Sequence, residues 1–492
     1  MKTRFVGPVA VVTAVAAGIV VLFASGILPG TPPPSPSYAA TTPSTWVSGI
    51  SVMNQGSSPA TIMIEFYDQS GTRVTVFNPP PIPPGGMGSY YSPTQIPGLP
   101  DRFVGSAVVS SDQPVVAIVN TQTPSEAGLT KDNPLRIGSS SGVNTPSTTL
   151  YFPQVERHFY GWNSSMYVQN TSGTPATANV QFTKRDGTVT WSTSVNIPAY
   201  SMASLNQADE SALGEGWVGA AVVSSSAPLA GIANAYNDNS SVDKSQIYSY
   251  NAFSRGSTKL YFVKVVKNYY SFYSGLTIQN IGNAPTTVTV TYYMHNYPTP
   301  YSHSQLLQPK QPWVIYTGNT NPGALPSGLP NTYGSAIATS DGQPIVGIVN
   351  EEFGGSSSDP SAGFGTTLSA FVDGEQTNTV LFPKVSSRYY GYASGFQIQN
   401  AGTSPAYMYA SLVGRDGRTA SLSSPGPVDP GSQWAVFLPD ALSGWLNFDG
   451  SATVTSSQPI VGTTNFSYRY DKDSRYGMRY GDTDAAYNGL NK

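Results

Sequence analysis

Apolar and polar residues alternate in short runs along most of this chain. Thr61-Ile62-Met63-Ile64-Glu65-Phe66-Tyr67 is rich in β formers, and Thr287-Val288-Thr289-Val290-Thr291-Tyr292-Tyr293 alternates at period two. That period sends successive side chains to opposite faces of a strand. Turn residues follow such runs: Asp68-Gln69-Ser70-Gly71, Arg185-Asp186-Gly187 and Arg415-Asp416-Gly417. Asp-Gly supplies the positive φ angles of tight hairpins. Further turns are read near Pro84, Pro198 and Pro430. No segment holds a helical period between caps, so the pattern predicts an all-β protein of short strands.

The strand pattern recurs four times. One landmark is an alternating run that ends in Asn: Ile50–Asn54, Met166–Asn170, Leu276–Asn280 and Phe396–Asn400. A second is a Gly-led pair of apolar runs around a Pro, as in Gly105–Asn120, and its copies end at Asn234, Asn350 and Asn465. Those terminal Asn residues are 114, 116 and 115 positions apart, which chance does not produce. Pro lacks an N–H and so belongs at a strand start or edge. Two consecutive strands joined by a tight turn are expected at Pro114, Pro228, Pro344 and Pro459. A third landmark opens the last three repeats: Leu150–Val155, Leu260–Val265 and Val380–Val385. The boundaries are read as 1–40 for a targeting segment and Pro-rich tether, then 41–149, 150–259, 260–379 and 380–492 for four β-sandwich repeats of about seven strands each.

Residues 41–492 resemble tandem immunoglobulin-like or fibronectin-like β-sandwich arrays of bacterial cell surfaces. The resemblance rests on repeat period and strand pattern, because the Cys–Trp–Cys core of true immunoglobulin domains is missing. It implies a role in an envelope layer, stalk, filament or adhesin.

Lys2 and Arg4 precede an uncharged run from Val9 to Leu28, Pro29 to Pro36 breaks it, and Ser37-Tyr38-Ala39 reads as a cleavage site. Twenty such residues also suffice to cross a bilayer as a signal or anchor helix. Cleaved signal and retained anchor both stand, and either places the repeats outside the cytoplasm, at the cell surface. The chain has no Cys, so each sandwich depends on its apolar core without disulfides. A net charge of −3 and the lack of a basic stripe exclude a nucleic-acid partner. Only 10% of residues are charged, and Ser, Thr, Asn and 31 Tyr cover the surface instead.

Catalytic chemistry is hard to place in this sequence. His158, His295 and His303 are the only histidines and share no motif. Gly138-Ser139-Ser140-Ser141-Gly142 matches Gly-x-Ser-x-Gly but reads as a joint, because no helix follows it. Acidic residues recur after the second landmark, and Asp471, Asp473, Asp482 and Asp484 are the best candidates for Ca²⁺, a cation of six to eight oxygen ligands. No other cofactor is expected. Sequons stand at Asn163, Asn170, Asn239 and Asn465. Aromatic clusters at the repeat openings, Phe159, Tyr160 and Trp162, Tyr269 and Tyr270, and Tyr389 and Tyr390, read as interdomain packing or as a sugar- or partner-binding platform. The expectation is therefore a non-enzymatic surface protein, a rod of four sandwiches roughly 150 Å long at the strand rise per residue. It would associate with copies of itself or with other surface components. The alternative is an adhesin or carbohydrate-binding array, and an extracellular hydrolase comes last.

Overall fold

The computed structural model describes residues 20–24, 46–100, 103–123, 136–237, 246–354, 364–468 and 484–492. The chain is all-β: the two α-helices among these residues, Ser92–Gln95 and Leu438–Ala441, are four residues each. None of the described helices is long and apolar enough to cross a membrane. Of the expected signal or anchor helix, residues 20–24 instead form a strand, and the remainder lies outside the described residues.

The second repeat shows the plan. One sheet runs Val189–Ile197, Ala176–Lys184, the first half of Trp217–Asn237, then Ser147–Arg157. The other runs Met202–Asn206, Trp162–Asn170, the second half of Trp217–Asn237, then Ile247–Asn251. The second landmark therefore does not turn back on itself, which corrects the expected hairpin at its Pro. Its two halves lie in opposite sheets, and in the second and fourth repeats they form one 21-residue strand. The Pro sits where the strand leaves one sheet for the other, so its missing N–H breaks no ladder bond. Alternation does the packing: Ala178, Val180 and Phe182 are buried while Thr177, Asn179 and Gln181 are exposed.

The Asn of the first landmark is structural. Asn54, Asn170, Asn280 and Asn400 are fully buried. Each Nδ2 donates to the carbonyl four residues on, at 2.7, 2.7, 2.8 and 2.8 Å. Each also donates across to the backbone carbonyl of a later segment, at Ile82, Ile197, Leu307 or Val428. Each Oδ1 accepts the backbone N–H two residues on. An amide supplies two donors and an acceptor at one point, which no other side chain of this size does.

The four sandwiches close into a ring, which corrects the expected rod. The strands Ile137–Ser141, Ile247–Asn251, Gly365–Ser369 and Asp484–Asn488 come from successive repeats, and each touches the next. The fourth also touches the first. At the closing joint Met53, Met87 and Val116 of the first repeat pack on Leu381 and Leu490 of the fourth. Ser106, Ser335 and Ser451 donate their hydroxyls to Tyr200, Gly431 and Gly85, carbonyls of the adjacent repeat, and the last of these bonds joins fourth to first. The repeat period does not state the rotation between neighbours. A head-to-tail interface of one kind makes a filament or a ring according to that angle.

Candidate functional site

Two regions of the ring gather unusual side chains: the axis and one set of hairpin tips. At the axis, Asn251 Nδ2 donates to Ser141 O at 2.6 Å, and Ser141 Oγ to Asn488 O at 3.4 Å. Asn488 Nδ2 donates to Ser369 O at 2.7 Å, and Ser369 Oγ to Asn251 O at 3.4 Å. The four bonds form a closed circle with one rotational sense. The Gly138–Gly142 segment thus forms an axial strand instead of a flexible joint, and Ser140 is buried in that strand with no nucleophile elbow. Beside this circle lies a cavity of about 500 Å³ lined by Asn251, Ser369, Asn488, Phe253, Arg255 and Glu375. Burial raises the Glu375 carboxyl above its usual range, although Val372 N–H and Arg255 oppose the shift.

The hairpin tips lie at the other end of the axial strands. Trp162 pairs with Asn237 just where Ile247 pairs with Tyr236, and the third and fourth repeats match. Each tip is a two-residue turn with both φ angles positive: Tyr160-Gly161 at 51° and 87°, Tyr270-Ser271 at 50° and 64°, Tyr390-Gly391 at 48° and 82°. Such turns favour Asn-Gly, and a left-handed φ costs a residue with a Cβ about 1 kcal/mol or more. Here Tyr fills that place three times, and the residue is 82%, 79% and 59% exposed. Each ring meets its neighbour edge to face: Phe159–Tyr160 at 4.7 Å, Tyr269–Tyr270 at 4.6 Å and Tyr389–Tyr390 at 4.7 Å. Trp162 stacks on Tyr248 at 4.2 Å, within the same repeat. These ring contacts lie inside their own repeats, and Tyr160, Tyr270 and Tyr390 are exposed to solvent.

Between the third and fourth repeats a cavity of about 730 Å³ borders the middle tip, with Tyr269, Tyr270, Phe272 and Phe437 beside Lys264 and Glu351. Lys264 pairs with Glu351 at 2.8 Å. Burial alone would lower the amine, but Glu351 and Asp484 outweigh it and hold the pKa above the usual value. Of the expected calcium ligands, Asp484 is this buried group, and Asp471, Asp473 and Asp482 lie outside the described residues. Among the described residues no three His, Asp or Glu side chains gather as a metal site would require.

The histidines are scattered. His158 Nδ1 meets Glu215 at 2.8 Å, His295 stacks on Tyr333, and His303 hydrogen-bonds Tyr292 Oη at 3.1 Å. Sequons Asn163 and Asn170 are buried, Asn239 lies outside the described residues, and Asn465 is half-buried. The signal that the sequence reading missed is the pairing of Tyr with Gly or Ser inside each tip, a turn signature with the wrong first residue.

No family model matches the chain, and no curated protein does. Among solved structures it is similar to Thermotoga maritima 1070, at 18% identity over 24% of this chain and 96% of that one, TM-score 0.20. It is also similar to the Anabaena sensory rhodopsin transducer, at 14% identity over 18% and 96%, TM-score 0.16. A tetra-tandem repeat from the extending region of a large adhesion protein matches at 11% identity over 90% and 95%, TM-score 0.12. Likenesses this faint leave the function to the chain's own geometry.

Proposed function

We propose that this chain is a non-enzymatic component of a bacterial cell surface, a ring that grips carbohydrate through aromatic tips on one end. One observation carries the reading: three exposed tyrosines sit at equivalent turns whose backbone geometry disfavours them. Folding alone would select Asn there. Exposed rings offer flat apolar faces to the C–H side of a pyranose, and three copies on one ring raise avidity where a polymer spans them. The scattered histidines support a binding role over acid–base catalysis.

The triple variant Tyr160→Asn, Tyr270→Asn, Tyr390→Asn tests this. Wild type should bind surface polysaccharides on a glycan array, single variants should bind more weakly, and the triple variant should lose binding while its melting temperature holds. Equal binding by wild type and triple variant, or none by wild type, refutes it.

A second reading, an envelope layer, has its own observation. The outer strands Arg73–Phe77, Val189–Ile197, Tyr301–Leu307 and Thr419–Ser423 each end a sheet, with one edge that has no ladder partner among the described residues. Edge pairing between rings would build a sheet of rings. Electron microscopy of concentrated protein separates the two, since a pure binder stays as single rings.

A further inference from the structure

The first repeat takes its opening strand from the segment that reads as an export signal. Val20–Ala24 pairs antiparallel with Gly105–Ser111, with Val20 opposite Val109, Val21 opposite Val108 and Leu22 opposite Ala107. In the second repeat Leu150, Tyr151 and Phe152 stand opposite Val223, Val222 and Ala221. In the third, Leu260, Tyr261 and Phe262 face Ala338, Ile337 and Ala336. In the fourth, Val380, Leu381 and Phe382 face Val454, Thr453 and Ala452. Val109, Val223, Ala338 and Val454 each stand four residues after the Gly that leads the second landmark. The register is therefore the same in all four repeats.

The place cannot be left empty at no cost. Leu150, Phe152, Leu260, Phe262, Val380 and Phe382 are all core residues, at most 2% exposed. Without an opening strand, Gly105–Ser111 would be an open edge with apolar residues on its inner face. No other described segment of the first repeat pairs with that edge.

We infer that the free edge of Gly105–Ser111 is a strand-acceptor site whose occupant is residues 20–24 of the same chain. The segment has two exclusive uses: apolar export or membrane segment first, and opening strand of the first repeat afterwards. Residues 20–24 cannot lie in a bilayer and on this edge at once. The mature protein accordingly keeps the segment, and cleavage before Ala40 would detach a strand of its first domain.

The absence of cysteine makes the test direct. A Val21→Cys, Val108→Cys pair in the full chain joins directly opposed residues, within reach of a disulfide. Mild oxidation of the exported protein should close it, read by intact mass and gel mobility, whereas Val21→Cys with Val413→Cys should stay reduced. Adding Leu22→Pro should abolish the cross-link and raise hydrogen exchange at Gly105–Ser111 in an otherwise folded ring. A folded full chain that forms no cross-link overturns the inference. So does a native protein that begins at Ala40 and still protects the Gly105–Ser111 amides from exchange.

Discussion

The buried Asn of the first landmark gives the sharpest test of how each repeat is held. In the fourth repeat Asn400 donates to Ser404 O and Val428 O, both at 2.8 Å, and accepts from Gly402 N–H at 2.9 Å. Asn400→Ala deletes all three bonds at part-buried backbone groups, of which Val428 O keeps its bond from Ala406 N–H. At about 1 kcal/mol for each bond, the loss is about 3 kcal/mol. For a repeat melting on its own, that lowers the midpoint by roughly 10 °C, and by less if the ring melts as one unit. Asn400→Asp should be worse at neutral pH, because a carboxylate cannot donate to two carbonyls it is forced to face. The internal control is the Asn of the second landmark. Asn234 accepts from Ser249 Oγ at 2.7 Å, but the corresponding partner of Asn465 is Ala486, which has no hydroxyl. Asn465→Ala should therefore cost under about 0.5 kcal/mol. Urea unfolding of all these variants measures the differences. If Asn54→Ala, Asn170→Ala, Asn280→Ala and Asn400→Ala all fall within about 0.5 kcal/mol of wild type, the argument that this residue fastens each repeat is wrong.

Two further perturbations probe buried charge. Lys384 Nζ pairs with Asp449 in the fourth repeat, both nearly sealed from solvent, with Ser386 Oγ also donating to Asp449 at 3.0 Å. Lys384→Met or Asp449→Leu alone should cost about 3–5 kcal/mol, and the double variant much less than the sum, because an apolar pair replaces an ionic one; additive losses in a double-mutant cycle would contradict this. Glu156 is buried with Ser164 and Gln154 as partners and no cation, and burial raises its pKa over the opposing hydrogen bonds. A raised carboxyl favours the folded state when protonated, so this stability is present below the unfolded pKa and is lost as pH rises through the folded one. Glu156→Gln should raise the midpoint at neutral pH and flatten its fall between acid and neutral pH; an unchanged pH profile would show that Glu156 does not titrate with folding.

Strands, turns and the repeat were legible because they depend on local alternation and on single residues with fixed conformational habits. Asp-Gly at 186–187 and 416–417 is such a case. The two Asn landmarks were visible as spacing, though their separate duties were not. One Asn is buried by three bonds, and the other faces the axial strand, where its partner changes from Ser139 to Ala486. The aromatic tips were visible as composition only. Whether Tyr160 points into a joint or into solvent turns on the φ of two residues, and no pattern of types states that angle. The Ser-rich run at 139–141 misled for a physical reason. Small neutral residues suit a flexible joint and equally suit the crowded centre of an assembly.

That crowding explains the axis. Four copies of one strand converge there, so space shrinks as in any structure where equivalent chains meet on a line. A methyl group placed on Gly138 would stand 2.4 Å from Ser249 Oγ of the next repeat, and one on Gly365 would stand 2.7 Å from Tyr248. The residues that bond around the circle, Ser141, Asn251, Ser369 and Asn488, are small and neutral, and they alternate. Opposite repeats carry the same residue there, while neighbours differ. Four Asn side chains would compete for one level of the axis, and four Ser would leave it underfilled; the alternation supplies one donor to each carbonyl within native packing density. Closure is thus written in a feature with twice the period of the landmarks. Repeats that look interchangeable by their strands are specified as two kinds at the axis, and a fifth copy in the same chain would have no place in the circle.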